Sequence, residues 1–156
     1  RVSIFPMRLA KAIPMRMHLL VTSRNINFPS PQLFRLIAFL AEKMEWPKEE
    51  SFSLVLCGDR FIRNLNRDFR NIDRATDVLS FEDDQEDSYR GDIVISLNSA
   101  VKNSIRFKVP YPQEFLRLVT HGLLHLHGFD HEGTEGGEML TLQERLLKEF
   151  FTKERL

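Results

Sequence analysis

Four of the chain's five histidines, His121, His125, His127 and His131, fall within one eleven-residue run, His-Gly-Leu-Leu-His-Leu-His-Gly-Phe-Asp-His. Successive helical residues advance about 100°, so His121 and His125 lie about 40° apart on one face, a spacing at which two imidazoles can hold one metal ion. Gly128 stands where such a helix should stop, because glycine tolerates the left-handed conformation that ends one. The chain can then turn and bring His131 back as a third nitrogen ligand. Three histidines leave a tetrahedral ion one open position, which distinguishes a catalytic zinc site from a closed structural one. His127 lies about 200° around the helix from His125 and faces away from the set.

The spacing His-x3-His-x2-Gly-x2-His is shared with the metzincin metalloproteases, which carry a glutamate directly after the first histidine as general base. Here that position is Gly122, which has no side chain and cannot move a proton. The residues offer a metal scaffold without the protease base, and peptide hydrolysis ranks below other metal-assisted chemistry.

Two further stretches stand beside the histidine run. One is Asn66-Arg67-Asp68-Phe69-Arg70 followed by Ala75-Thr76-Asp77-Val78-Leu79-Ser80-Phe81; the other is Gly91-Asp92-Ile93-Val94-Ile95. In this order the three resemble the signature of the YbeY family, single-domain metal-dependent endoribonucleases of ribosomal RNA maturation. The resemblance covers roughly residues 16 to 153. It implies single-strand-directed RNA cleavage, action at the 3′ end of 16S ribosomal RNA, a role in ribosome quality control, and the ribosome or small-subunit assembly factors as partners. It also aligns Arg70 with the arginine that the family places at its active cleft. A guanidinium can clamp two phosphate oxygens at once, which lysine does less well.

The expected site is therefore one zinc ion on His121, His125 and His131, with Arg70 as a further catalytic residue; three imidazoles also suit nickel or another transition metal. Zinc would lower the pKa of a bound water from about 16 toward about 7. The hydroxide would attack phosphorus or serve as base on the neighbouring 2′-OH, and Arg70 would stabilise charge building on the phosphate. Because Gly122 cannot shuttle a proton, the general base is unassigned among Asp77, Asp130 and Glu138. Two rivals follow from the same residues: a metalloprotease with a displaced general base, and a non-catalytic ribosome-assembly protein whose metal is structural.

Composition sets the frame for these residues. The 156-residue chain is long enough for one domain with its own core, and at 42% hydrophobic and 28% charged it has a globular balance. A single cysteine, Cys57, excludes an internal disulfide framework and a cysteine-built metal site, and fits a reducing, cytoplasmic compartment. No apolar run approaches the 18 or so residues that span a membrane. The net charge is zero, but residues 1–74 carry +6 and residues 75–156 carry −6. Such asymmetry permits a face for a polyanion without requiring one.

The elements that must position the site are legible as periodicities. Residues 1–15 are basic, contain Pro6 and Pro14, and are expected to form a loosely ordered extension ahead of the domain at 16–156, or to reflect a start set too early, with Met15 or Met17 as the true beginning. A strand is predicted over 17–22 and a helix from a Ser30 cap with Pro31 in its first turn, striped by Leu33, Leu36, Ile37 and Leu40. Alternation over 51–57 predicts a second strand; Gly58-Asp59 opens a basic helix with Phe61, Ile62 and Leu65 buried. Strands are predicted over 76–81 and 91–96, separated by an acidic loop, 82–87, that lacks the spacing of a calcium site. A helix capped by Asn98 runs to about Phe107, the histidine helix spans 114–127, Gly133, Gly136 and Gly137 form a connection, and a last helix covers about 138–151. The order β-α-β-α-β-β-α-α-α predicts an α+β domain; a small mixed four-stranded sheet covered by helices, one of them a zincin-like metal helix, is what the resemblance implies.

Overall fold

The computed structural model describes residues 16–83, 88–129 and 134–155. The expected N-terminal extension, Asp84 to Asp87 of the acidic loop, Asp130, His131 and Gly133 lie outside these residues.

Strands β1 (Arg16–Val21), β2 (Ser51–Cys57), β3 (Val78–Glu82) and β4 (Tyr89–Ser96) form one mixed sheet in the order β1-β2-β4-β3. β1, β2 and β4 run parallel, and β3 pairs antiparallel to β4 along one edge. Side chains alternate across the sheet, so Phe52, Leu54, Leu56, Ile93 and Ile95 face one layer of helices while Cys57, Leu79 and Val94 face another. The first layer contains α1 (Ser30–Lys43), α3 (Leu97–Phe107), α4 (Tyr111–Leu126) and α5 (Thr134–Glu154); α2 (Asp59–Arg70) covers the opposite face through Ile62. The α+β class is as the pattern predicts, and the mixed four-stranded sheet as the resemblance implies.

Several ends differ from expectation for local reasons. Ser30 does not cap α1; Pro29 occupies the cap position, and the Leu33 N–H donates to its carbonyl at 2.9 Å. Ser96, not Asn98, caps α3, its Oγ accepting from the Ser99 N–H at 3.1 Å, while Asn98 Oδ1 accepts from the Asp59 N–H. Phe61 of α2 is exposed, and the inward position belongs to Asn66, which donates to the Arg74 carbonyl at 2.9 Å and so shapes the exit from that helix. Helix α5 starts at Thr134 and takes Gly136 and Gly137 into its first turn instead of leaving them in a connection. Phe150 and Met139, both buried, anchor its far and near ends in the core.

Candidate functional site

Helix α4 is the most deeply buried helix, with Phe115, Leu116, Leu118, Val119, Leu123, Leu124 and Leu126 in the core. A helix apolar on so much of its surface is stable only when packed on several sides. Its approach to the sheet is set by Gly122. A Cβ placed there would lie 2.6 Å from Ile93 Cγ2, inside any van der Waals contact. The position that holds a glutamate in metzincins is thus pressed against β4. The missing base is a packing requirement of this fold as well as a fact of the sequence.

With Gly122 against the sheet, His121 and His125 project from the less buried side, their ring centroids 4.9 Å apart and the planes at 76°. His121 Nδ1 lies 2.7 Å from Oε1 of the buried Gln143 on α5. The Gln143 amide nitrogen in turn donates to Glu144, which fixes the amide orientation with its oxygen toward the ring. His121 therefore carries its proton on Nδ1 and its lone pair on Nε2, the arrangement found when an outer partner orients a metal-ligating imidazole. His121 fits a cation in this respect, and His125 adds a second imidazole one turn away on the same face. Among the described residues alone, no three His, Cys, Asp or Glu side chains gather as a metal site, and the expected third ligand, His131, lies outside them.

The end of α4 is closed by two hydrogen bonds, from Gly128 N–H to the His125 carbonyl at 3.0 Å and from Phe129 N–H to the Leu124 carbonyl at 3.1 Å. This Schellman pattern requires a left-handed residue, and Gly128 has φ of 104°. His127 leaves the set as the helical spacing predicts. Its ring lies over Trp46, centroids 5.4 Å apart, and burial with the nearby Arg90 pushes its imidazolium down from the ordinary range.

Arg70 is the last residue of α2, on the far face of the sheet from α4, and is exposed. Arg63 and Arg67 are engaged by Asp73 and Asp68, whereas Arg70 has no carboxylate partner among the described residues. Residues 71–77 lead from it to β3, which runs beside α4 and brings Ser80 Oγ within 3.5 Å of the Gly122 carbonyl.

Sequence reasoning missed most of a polar cluster around His121. Asp77, expected as a candidate base, lies at the start of β3 and accepts from the Val78 N–H at 2.8 Å. Asn103 of α3 donates to Asp77 Oδ2 at 3.0 Å and to Glu114 Oε2 at 3.1 Å, tying the strand to both helices. Burial pushes the Glu114 carboxyl above the ordinary carboxylate range, with Asn103 and Arg117 opposing the shift. These groups, with His121 and Gln143, border a cavity of about 420 Å³. The signal available was periodic: Glu114, Leu118, His121 and His125 repeat at i, i+4, i+7 and i+11 on one helix face. Glu138, the remaining described candidate base, is an exposed residue of α5.

Comparison with known proteins matches residues 24–151 to the family model described as Endoribonuclease YbeY. A Treponema pallidum protein named Endoribonuclease YbeY is 53% identical over 104 residues, covering 61% of this chain and 65% of the relative. The chain thus spans just under two thirds of that relative's length. A Limosilactobacillus fermentum protein of the same name is 36% identical over 128 residues, covering 72% of this chain and 82% of its own. The solution structure of TM1509 from Thermotoga maritima superposes with a TM-score of 0.63 at 31% identity, over 89% of this chain and 91% of that one. With the family model spanning most of the residues that build the sheet, the histidine helix and its supports, this chain belongs to the YbeY family.

Proposed function

We propose that this protein is a metal-dependent endoribonuclease that cleaves single-stranded RNA during ribosomal RNA maturation. The observation that carries the reading is the histidine pair on α4: His121, oriented through Nδ1 by Gln143, stands one turn from His125 with the ring centroids 4.9 Å apart. His121, His125 and His131 would hold the ion, zinc or another transition metal. When bound, it supplies Lewis acidity and an acidified water.

The chain's own residues do the rest. Gln143 keeps His121 in the tautomer that can ligate. Arg70 would supply a guanidinium for the phosphate from the end of α2. Gly122, pressed on Ile93, has no proton to give or take, which argues against a protease using that position. Action at the 3′ end of 16S ribosomal RNA, a part in ribosome quality control, ribosomal or small-subunit assembly partners and a cytoplasmic setting belong to the same reading. No helix among the described residues is long and apolar enough to cross a membrane.

The test is purified protein on end-labelled single-stranded RNA, with and without chelator, beside Arg70→Ala and His121→Ala. Cleavage that chelator abolishes and zinc restores is expected, with both variants strongly impaired. RNA left intact by metal-loaded protein would overturn the reading. Full cleavage by a folded, metal-loaded Arg70→Ala would remove Arg70 from the site.

A further inference from the structure

The cavity beside His121 has a chemistry unlike that of a phosphate channel. Its polar wall is Asp77, Asn103 and Glu114, with Arg117 at the side; its apolar walls include Phe107 and Leu118. Two carboxylates repel a phosphodiester, so the RNA backbone does not belong there. A flat, partly apolar group bearing hydrogen-bond donors does.

Orientation sharpens this. Both Asn103 amide hydrogens are directed at carboxylates, Asp77 Oδ2 and Glu114 Oε2, so the amide cannot turn and its Oδ1 is left to accept. Asp77 Oδ1 is used by the Val78 N–H, and Glu114 Oε1 lies 3.4 Å from Arg117 Nε. Each of these carboxylate oxygens is engaged once and keeps a second lone pair, so with Asn103 Oδ1 the wall presents acceptors beside the Arg117 guanidinium, whose Nη1 donates to Glu144. Phe107 lines the cavity and is 54% exposed; the Arg106 guanidinium lies over its ring at 5.4 Å from the centroid, and the opposite ring face offers a stacking surface. At about 420 Å³ the cavity falls within the range of small-ligand pockets.

We propose that this cavity receives one base of the RNA strand next to the cleaved bond, and that it prefers guanine. Guanine places two adjacent donors, N1–H and the 2-amino group, opposite the acceptor wall and its O6 toward Arg117, while Phe107 stacks on the ring. The proposal rests on the endoribonuclease reading and names the specificity of that site. Asn103 and Glu114 are specificity residues here.

The experiment measures binding first, so that it does not depend on catalysis. Full-length protein in chelator is titrated by fluorescence anisotropy with short oligouridylates carrying one internal guanosine, inosine, adenosine or cytidine. The guanosine strand should bind roughly tenfold tighter than plain oligouridylate, and inosine, lacking the 2-amino group, should lose most of that gain. Phe107→Ala, an exposed position, should weaken the guanosine strand roughly tenfold. Glu114→Gln should erase the discrimination between guanosine and inosine, with Asn103→Ala as the second variant should the buried Glu114 position fail to fold. Equal affinity for all strands, or discrimination that survives both folded variants, overturns the pocket. So does tight binding of an arginine-rich peptide without base preference, which would give the acidic wall to a protein partner. Cleavage of the same strands after metal is restored reports separately. Base preference without cleavage sinks the nuclease reading and keeps the pocket; cleavage without base preference does the reverse.

Discussion

The Gln143 amide oxygen sits 2.7 Å from His121 Nδ1, so a residue 22 positions away along the chain decides which ring nitrogen of the histidine carries the proton. Replacing it tests that relationship directly. Gln143→Leu should keep the fold, since leucine fills similar space, and should weaken zinc binding about 10–100-fold. Competition with a chromophoric chelator reads this; unchanged zinc affinity in the folded variant would mean that the amide does not orient the ring.

Gly122→Ala sets two effects against each other. Alanine improves intrinsic helix propensity by about 1 kcal/mol. Its methyl group would lie 2.6 Å from the buried Ile93, and overpacking of this kind typically costs about 1–3 kcal/mol. We expect a net loss of stability in urea titrations, and a Gly122→Ala, Ile93→Ala double variant whose loss falls short of the sum of the two single losses, since alanine at 93 removes the atoms that the new methyl group meets. A more stable single variant would show that α4 has room to move off the sheet.

Cys57 is fully buried and its thiol is pushed up to about 12, chiefly by burial and further by Asp59. At pH 8 the thiolate fraction is then roughly one in ten thousand, so the folded protein should be inert to thiol reagents and react in one step on unfolding. Fast labelling of the native protein would mean that β2 opens readily at its end.

Asp59 should shape the acid limb of stability. Burial pushes its carboxyl up, but donors from Lys102, Ser96 and Ser99 outweigh that and keep it below the ordinary range. A lowered folded-state pKa adds stability above the unfolded value near 3.8, and that contribution disappears as pH falls through the folded value. Asp59→Asn should therefore lose about 1–3 kcal/mol at pH 7 and progressively less below pH 4. Equal destabilisation at pH 7 and pH 2.5 would contradict an ionised Asp59 in the native state.

How much of this was legible depended on whether the cause was local. Phe52, Leu54 and Leu56 announce a strand by alternation, and residues 51–57 fall where that pattern puts them. His121, His125 and the stop at Gly128 are spaced by the helix itself. Gln143 could have been suspected, because it lies on the same stripe of α5 as Met139 and Leu146, where a polar residue needs a partner. Which partner it finds depends on how α5 docks. The reason for Gly122 was invisible, since it is a contact with Ile93 on another element. Ser30 looked like a cap because its type is right, yet the chain enters α1 one residue earlier, through Pro29.

Helix ends unravel first, and His125 stands in the last turn of its helix. The paired hydrogen bonds from Gly128 and Phe129 tie off the chain at the carbonyls of Leu124 and His125. Fraying is checked at the one place where it would loosen a prospective ligand. The turn that carries His125 is thus held by the chain's own backbone, so an arriving cation would have no helix left to wind at that ligand.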